Sequence, residues 1–319
     1  MGGVSQDPFD LLTAPRPPLV FGGAPIGGLY APVSDASAAA TLAAAWQAGI
    51  RVFDTAPHYG AGLSEQRLGD FLADRPRSQF AICTKVGRRL VPASGPVEGV
   101  DEFYGTPALS RARDYSADGV RRCLEDSLRR LRLDRVDIAL IHDPDDFMTQ
   151  ALDCAYPALA ELRAAGVVGA IGVGMNAAAP LAWFVSRADL DCVLVAGRYS
   201  LLDTSAAAEL LPLCAGRGVQ VLAGGVFNSG ILADPRDGAT YDYAPASAEV
   251  LARARRIRDT CAAFGVPVAA AALRFTLRHP AVTAAVVGAR SAAEITTDAS
   301  YLSLDMPAGL FTALAAVQA

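Results

Sequence analysis

Four residues are spaced so that they could move a proton together. Asp54 lies at the end of the apolar run RVFDTA (51–56), Lys85 in AICTKV (81–86) and His142 at the end of VDIALIH (136–142). Tyr59 follows five residues after Asp54, beside Gly60. An aspartate paired with a lysine beside a phenol puts positive charge next to the hydroxyl. That favours phenolate and predicts a tyrosine pKa below its ordinary value of about 10. Such a tyrosine can give a proton to a carbonyl oxygen or take one from a hydroxyl, while a histidine alongside orients or polarises the same oxygen. Each residue also has a plainer explanation: a structural ion pair for Asp54 and Lys85, a strand-end cap for His142, packing for Tyr59. Their position at the ends of successive strand-like runs favours shared chemistry.

Those runs belong to a longer alternation. LVFGG (19–23), RVFDTA, AICTKV, VDIALIH, VVGAIGVG (167–174), CVLVAG (192–197), VQVLAG (219–224) and AAVVGA (284–289) read as strands buried on both faces. Alanine-rich or amphipathic stretches between them read as helices, at 38–48, 64–71, 118–131, 151–165, 180–187, 206–215, 247–264, 268–278 and 291–301, with a C-terminal helix over 307–317. FGGAPIGG (21–28) is glycine-rich but lacks the dinucleotide-fingerprint spacing of a doubly wound sheet. Eight strand–helix units predict an α/β protein, a single (β/α)8 barrel spanning residues 1–319. Its long loops follow strand 3 (87–115) and strand 7 (227–245). Chemistry in such barrels sits at the C-terminal strand ends, where the four residues lie. The segment 87–115 has no period and is expected to cover that mouth.

Composition narrows the classes. The 319 residues carry 33 acidic and 28 basic side chains, a net charge of −5, so no basic stripe invites nucleic acid. A hydrophobic fraction of 52% against 19% charged excludes a disordered chain. No apolar run approaches the roughly 18 residues of a membrane span, and residues 1–18 lack the pattern of a secretion signal. The cysteines (83, 123, 154, 192, 214 and 261) form no C-x-x-C pair, and the three histidines have no metal-site spacing. Reduced thiols, a cytoplasmic location and no bound metal are expected.

The stretch GIRVFDTAPHYGAGLSEQRLG (49–69) resembles the N-terminal signature of the aldo-keto reductase family. FAICTKVG (80–87) is similar to that family's lysine strand, DIALIHDP (137–144) to its histidine strand, and IGVGMN (171–176) and VVGARSAAEITTDA (286–299) to its cofactor segments. The likeness runs in order over nearly the whole chain. It implies a (β/α)8 barrel binding NAD(P), with Asp54, Tyr59, Lys85 and His142 as the catalytic tetrad and Tyr59 as general acid or base. It also implies cofactor contacts at Gly22, Gly23, Asp54, Asn176, Phe227, Ser229, Gly288, Arg290, Glu294 and Asp298. Gly224 stands where many members carry a tyrosine against the nicotinamide, and Phe227 either supplies that face or serves as packing.

FGGAPIGGLY (21–30), the 87–115 insertion, GRYSLLD (197–203) and VFNSGIL (226–232) resemble the family's bacterial sugar-dehydrogenase branch. The resemblance implies oxidation of an aldopyranose of the L-fucose or D-threo-aldose type at C1, giving a lactone. The alternatives are a pyridoxal 4-dehydrogenase or a general aldehyde or ketone reductase. Tyr30, His58, Phe103 and Tyr104 would contact the substrate, the last two by stacking on a sugar face. A barrel aldolase using Lys85 as a Schiff-base nucleophile is disfavoured by the acid partner Asp54, and a non-catalytic cofactor sensor by the intact tetrad. Gly288 and Glu294 occupy positions where NADP-specific members carry a lysine and an arginine, so NAD is the expected cofactor. Arg290, in the turn before the last strand's helix, could hold a 2′-phosphate and admit NADP. The expected partner is a small-molecule substrate, with neither nucleic acid nor membrane, and the chain is read as a monomer or small homo-oligomer.

Overall fold

The computed structural model describes residues 7–13 and 15–318. Its strands are β1 (Leu19–Gly22), β2 (Val52–Asp54), β3 (Ala81–Val86), β4 (Arg88–Pro92), β5 (Leu109–Arg113), β6 (Val136–His142), β7 (Val168–Met175), β8 (Cys192–Ala196), β9 (Gln220–Gly224), β10 (Thr240–Tyr241), β11 (Ala244–Pro245) and β12 (Val282–Gly288). Eight of them close a parallel barrel in the order β1-β12-β9-β8-β7-β6-β3-β2. The other four make two antiparallel hairpins, β4–β5 and β10–β11. The principal helices are α1 (Asp35–Gln47), α2 (Leu63–Leu72), α3 (Ala117–Leu131), α4 (Met148–Gln150), α5 (Tyr156–Ala164), α6 (Ala178–Val185), α7 (Leu210–Arg217), α8 (Ala248–Ala263), α9 (Val268–Thr276), α10 (Ala292–Ser300) and α11 (Leu310–Gln318).

The eight strands match the sequence reading. The two long loops do not, because each contains a hairpin. Residues 88–92 pair with 109–113, which the absence of a continuous apolar alternation concealed. The helix expected at 206–215 is displaced to Leu210–Arg217. Pro212 has no N–H for a bond to residue 208 and its ring crowds that carbonyl, so it fits only near a helix start. A single turn at Ser205–Ala207 takes up the slack. The helix expected at 151–165 opens with a π-helical stretch at Ala151–Ala155 before α5.

Successive side chains alternate across each strand. Val20, Val52, Ala81, Cys83, Ile138, Leu140, Leu194, Leu222, Ala284 and Val286 pack inside the barrel, while Phe21, Phe53, Ile82, Ala139 and Ile141 face the helices. Leu11 and Leu12, in the turn Pro8–Leu12, are each 4% exposed and join the inner cluster from the N-terminal end.

Glu65 in the first turn of α2 is fully buried. Its carboxylate accepts from Thr84 Oγ1 and from Arg130 Nε, each at 2.7 Å, tying α2 to β3 and α3. Glu65→Ala leaves a mostly buried guanidinium without its anion. It should cost about 2 kcal/mol or more of unfolding free energy, with Glu65→Gln costing less. Denaturant titration of both variants checks this.

Candidate active site

The inward rows continue to the C-terminal end of the barrel. Counting by twos from the interior residues, Asp54 follows Val52, Lys85 follows Cys83 and His142 follows Leu140. The strand period therefore turns all three into the mouth. Lys85 Nζ donates to Asp54 Oδ1 and Oδ2 at 2.7 and 2.8 Å, to the Thr55 carbonyl at 2.9 Å and to the Tyr59 hydroxyl at 3.0 Å. Lys85 is 1% and Asp54 2% exposed. The His142 ring stands perpendicular to Tyr59 at 5.9 Å. The four residues converge, with the Tyr59 hydroxyl against the Lys85 ammonium and its ring against the His142 imidazole.

The electrostatics correct one expectation. Burial raises the Tyr59 pKa; Lys85 pulls it down, Asp54 pushes it up, and the outcome lies above the ordinary value, not below. Burial costs a phenolate more than the Lys85 ammonium, shared with both Asp54 oxygens, returns to it. Burial lowers the Lys85 pKa and Asp54 raises it, with the balance upward, so the lysine stays an ammonium. Burial and then Arg88 push His142 well below its ordinary value, and burial with Arg88 and Arg111 lowers His58 to about 2. Both imidazoles are neutral, and His142 acts as a hydrogen-bonding group rather than a cation. Its Nδ1 is buried with no partner among the described residues, and its Nε2 lies 3.5 Å from Asp143 Oδ2.

The hairpin β4–β5 builds one wall of the mouth. Arg88 Nη2 donates to Asp143 at 2.7 Å, and its other amino group lies 3.4 Å from His58 Nδ1. Arg111 donates to the His58 carbonyl. The segment beyond β4 crosses to the β1 end: Tyr30 N donates to the Glu102 carbonyl at 2.8 Å and Tyr104 N to the Gly28 carbonyl at 3.0 Å. Gly28 has φ +95°, and a Cβ there would strike the Tyr104 carbonyl, so only glycine permits the crossing. Phe103 is 2% exposed, stacked 6.2 Å from the Tyr59 ring, with the Arg111 guanidinium 5.4 Å from its own. The structure uses Phe103 to buttress Tyr59 instead of offering an open platform. Tyr104 lies against Gly99 of its own loop. His58 is buried 5.5 Å from His142.

Sequence reasoning missed Tyr243. It lies in the turn of the β10–β11 hairpin with φ +63°, half exposed, its ring 6.4 Å from Tyr30. The paired aromatics Tyr241 and Tyr243 around Asp242 are the signal that could have found it. Arg198 secures this hairpin by donating to Asp242 at 2.6 Å while also reaching the Asn176 carbonyl at 2.7 Å. Ser229 joins the same cluster, its Oγ accepting from Tyr243 N at 3.3 Å. Phe227 packs into two hydrophobic clusters. It is partly buried between them.

The opposite half of the mouth has almost no side chains. Extending the inward rows gives Gly22, Gly174, Ala196, Gly224 and Gly288 at the remaining strand ends. Gly22 pairs with both Asp54 and Gly288 in register, and Gly23 N donates to the Asp54 carbonyl at 2.7 Å. Around this bare half stand the exposed Asn176, the half-buried Ser229 and the buried Asn228, whose Oδ1 has no partner among the described residues. At its far edge α10 begins, capped by Ser291. A helix N-terminus favours phosphate. Glu294 accepts from the Arg290 amide at 2.8 Å and lies 3.6 Å from its guanidinium, so each neutralises the other. Burial and then Glu294 raise Asp298 to about 7. A bare cradle, open amide groups and a helix N-terminus suit an extended dinucleotide. Among the described residues, no group of acid, cysteine and histidine side chains suits a metal ion, and no helix is long and apolar enough to cross a membrane.

Comparison with known proteins agrees with this geometry. The model of the Aldo/keto reductase family matches residues 18–318. The chain is similar to a D-threo-aldose 1-dehydrogenase of a Pseudomonas species, 44% identical over 306 residues, covering 94% of this chain and 93% of the relative. It is also similar to a pyridoxal 4-dehydrogenase of Microbacterium luteolum, 42% identical over 316 residues, covering 93% and 92%. The fold matches a glycerol dehydrogenase from Gluconobacter oxydans with a TM-score of 0.74 at 25% identity, covering 94% of this chain and 90% of that one. With an ion-paired lysine, a tyrosine and a histidine meeting at the mouth of a closed barrel, the chain belongs to the aldo/keto reductase family and is a nicotinamide-dependent oxidoreductase.

Proposed function

We propose that the protein oxidises the anomeric hydroxyl of an aldopyranose, of the L-fucose or D-threo-aldose type, to a lactone with NAD. The observation that carries this reading is the Tyr59 hydroxyl held 3.0 Å from Lys85 beside the His142 imidazole, under a polar rim of Arg88, Asp143 and His58. The likeness to an aldose 1-dehydrogenase supports the choice of substrate. A bound nicotinamide would supply the oxidant for the hydride that leaves C1. Tyr59, in its phenolate form and hydrogen-bonded by Lys85, takes the hydroxyl proton and becomes the neutral phenol, while Asp54 fixes Lys85. His142, neutral, orients the substrate oxygen. Tyr30, His58 and Phe103 shape the substrate side. Gly22, Gly23, Asn176, Ser229, Gly288, Arg290, Glu294 and Asp298 would hold the cofactor. The whole chain would act as one barrel domain, in the cytoplasm with reduced cysteines.

The preference for NAD rests on Glu294. Its carboxylate, about half exposed, engages the Arg290 guanidinium at 3.6 Å and so competes with a 2′-phosphate for that cation, while it can accept hydrogen bonds from a free ribose. Catalytic efficiencies with L-fucose, L-galactose, D-arabinose, pyridoxal and simple aldehydes, each with NAD and NADP, test both parts. The expected result is highest efficiency with an aldose and NAD. An advantage of NADP above about tenfold, or 1.4 kcal/mol, contradicts the cofactor assignment. Pyridoxal as the best substrate contradicts the sugar assignment and favours the function named in the Microbacterium relative.

A further inference from the structure

The mouth holds a second ion pair that the proton transfer does not use. Arg88 and Asp143 meet at 2.7 Å with side chains 14% and 18% exposed. A buried pair is weak evidence for stability, since desolvation offsets much of the attraction. This pair is nevertheless held with care. Asp143 adopts φ +41°, uncommon for a residue with a side chain. Its amide donates to the Gly174 carbonyl at 2.9 Å. The buried Tyr115 hydroxyl bonds the carbonyls of both His142 and Asp143, at 2.6 and 2.9 Å. Strain kept in place by its surroundings points to function. The carboxylate it fixes lies 3.5 Å from His142 Nε2, on the group that orients the reacting oxygen. A carboxylate accepts a hydroxyl's proton and a guanidinium donates to its oxygen, so together they satisfy both faces of one hydroxyl.

From this geometry we infer that the Arg88–Asp143 pair recognises the substrate hydroxyl on the carbon next to the reacting one, making Asp143 a specificity residue and Arg88 its positioning residue. A substrate oxygen between Tyr59 and His142 brings its nearest neighbouring hydroxyl toward Asp143. Burial raises the Asp143 pKa while Arg88 lowers it, which agrees with a desolvated carboxylate that depends on its guanidinium. The inference rests on the aldose reading above.

The test compares L-fucose with 2-deoxy-L-fucose, each with NAD, for the unaltered enzyme, Asp143→Asn and Arg88→Met. The unaltered enzyme should favour L-fucose by about tenfold or more in kcat/KM, because a site built for a hydroxyl rejects the analogue lacking it. Both variants should narrow that preference, chiefly through the KM for L-fucose. A preference left unchanged in both, or an equal loss on both sugars, overturns the inference while leaving aldose oxidation intact. If Asp143→Asn does not fold, Arg88→Met on the hairpin carries the same comparison. Oxidation of neither sugar by the unaltered enzyme overturns the substrate reading and this inference with it.

Discussion

Tyr59→Phe is expected to lower turnover by about a hundredfold or more while leaving cofactor affinity nearly unchanged. The variant keeps the ring that stacks on Phe103 and removes only the hydroxyl that Lys85 contacts. Turnover together with a fluorescence titration of the cofactor separates the two effects, and undiminished turnover would retire Tyr59 as the proton carrier. The pH dependence has a definite sign. The Tyr59 pKa is raised, so the phenol is protonated through neutral pH. Oxidation, which needs it to accept a proton, should speed up as pH rises. Reduction, which needs it to donate, should stay flat. The imidazoles should add no break between pH 5 and 8, because His58 titrates near 2 and His142 is held well below its ordinary range. In Tyr59→Phe the alkaline rise of oxidation should disappear.

Lys85→Met should abolish activity and also destabilise the barrel. It leaves the Asp54 carboxylate, 2% exposed, with no ammonium. Removing one partner of a buried pair costs about 3–5 kcal/mol. Adding Asp54→Asn to Lys85→Met removes the stranded charge, so the double variant should recover much of the lost stability and remain inactive. Thermal unfolding and turnover of the three proteins check this. A single variant as stable as the unaltered enzyme would mean that the pair is solvated.

Why some of this was legible in the sequence follows from periodicity. Val, Ile and Ala runs buried on both faces mark the barrel strands, and a period of two carries Asp54, Lys85 and His142 to one end of them. The same arithmetic places glycine at Gly22, Gly174, Gly224 and Gly288. Contacts made by loops obey no such period. Arg88 reaches Asp143 across 55 residues, and Tyr115 reaches His142 across 27. Nothing local distinguishes these from surface residues. The Tyr59 pKa was misjudged for a related reason. The sequence shows that a lysine is near, but only the geometry shows both Asp54 oxygens on its ammonium and Phe103 over the phenol. The mutual pairing of Arg290 and Glu294, opposed in the sequence reading, emerges only from how α10 begins.

The most direct test of the central claim follows hydrogen from substrate to cofactor. L-fucose deuterated at C1 is incubated with the enzyme and NAD, and both products are examined by mass spectrometry and NMR. The account predicts one deuterium transferred to the nicotinamide for each lactone formed, and almost none with Tyr59→Phe over the same interval. Reduced cofactor without deuterium, or no label transfer from any C1-deuterated aldose while pyridoxal or a simple alcohol is oxidised, would contradict it.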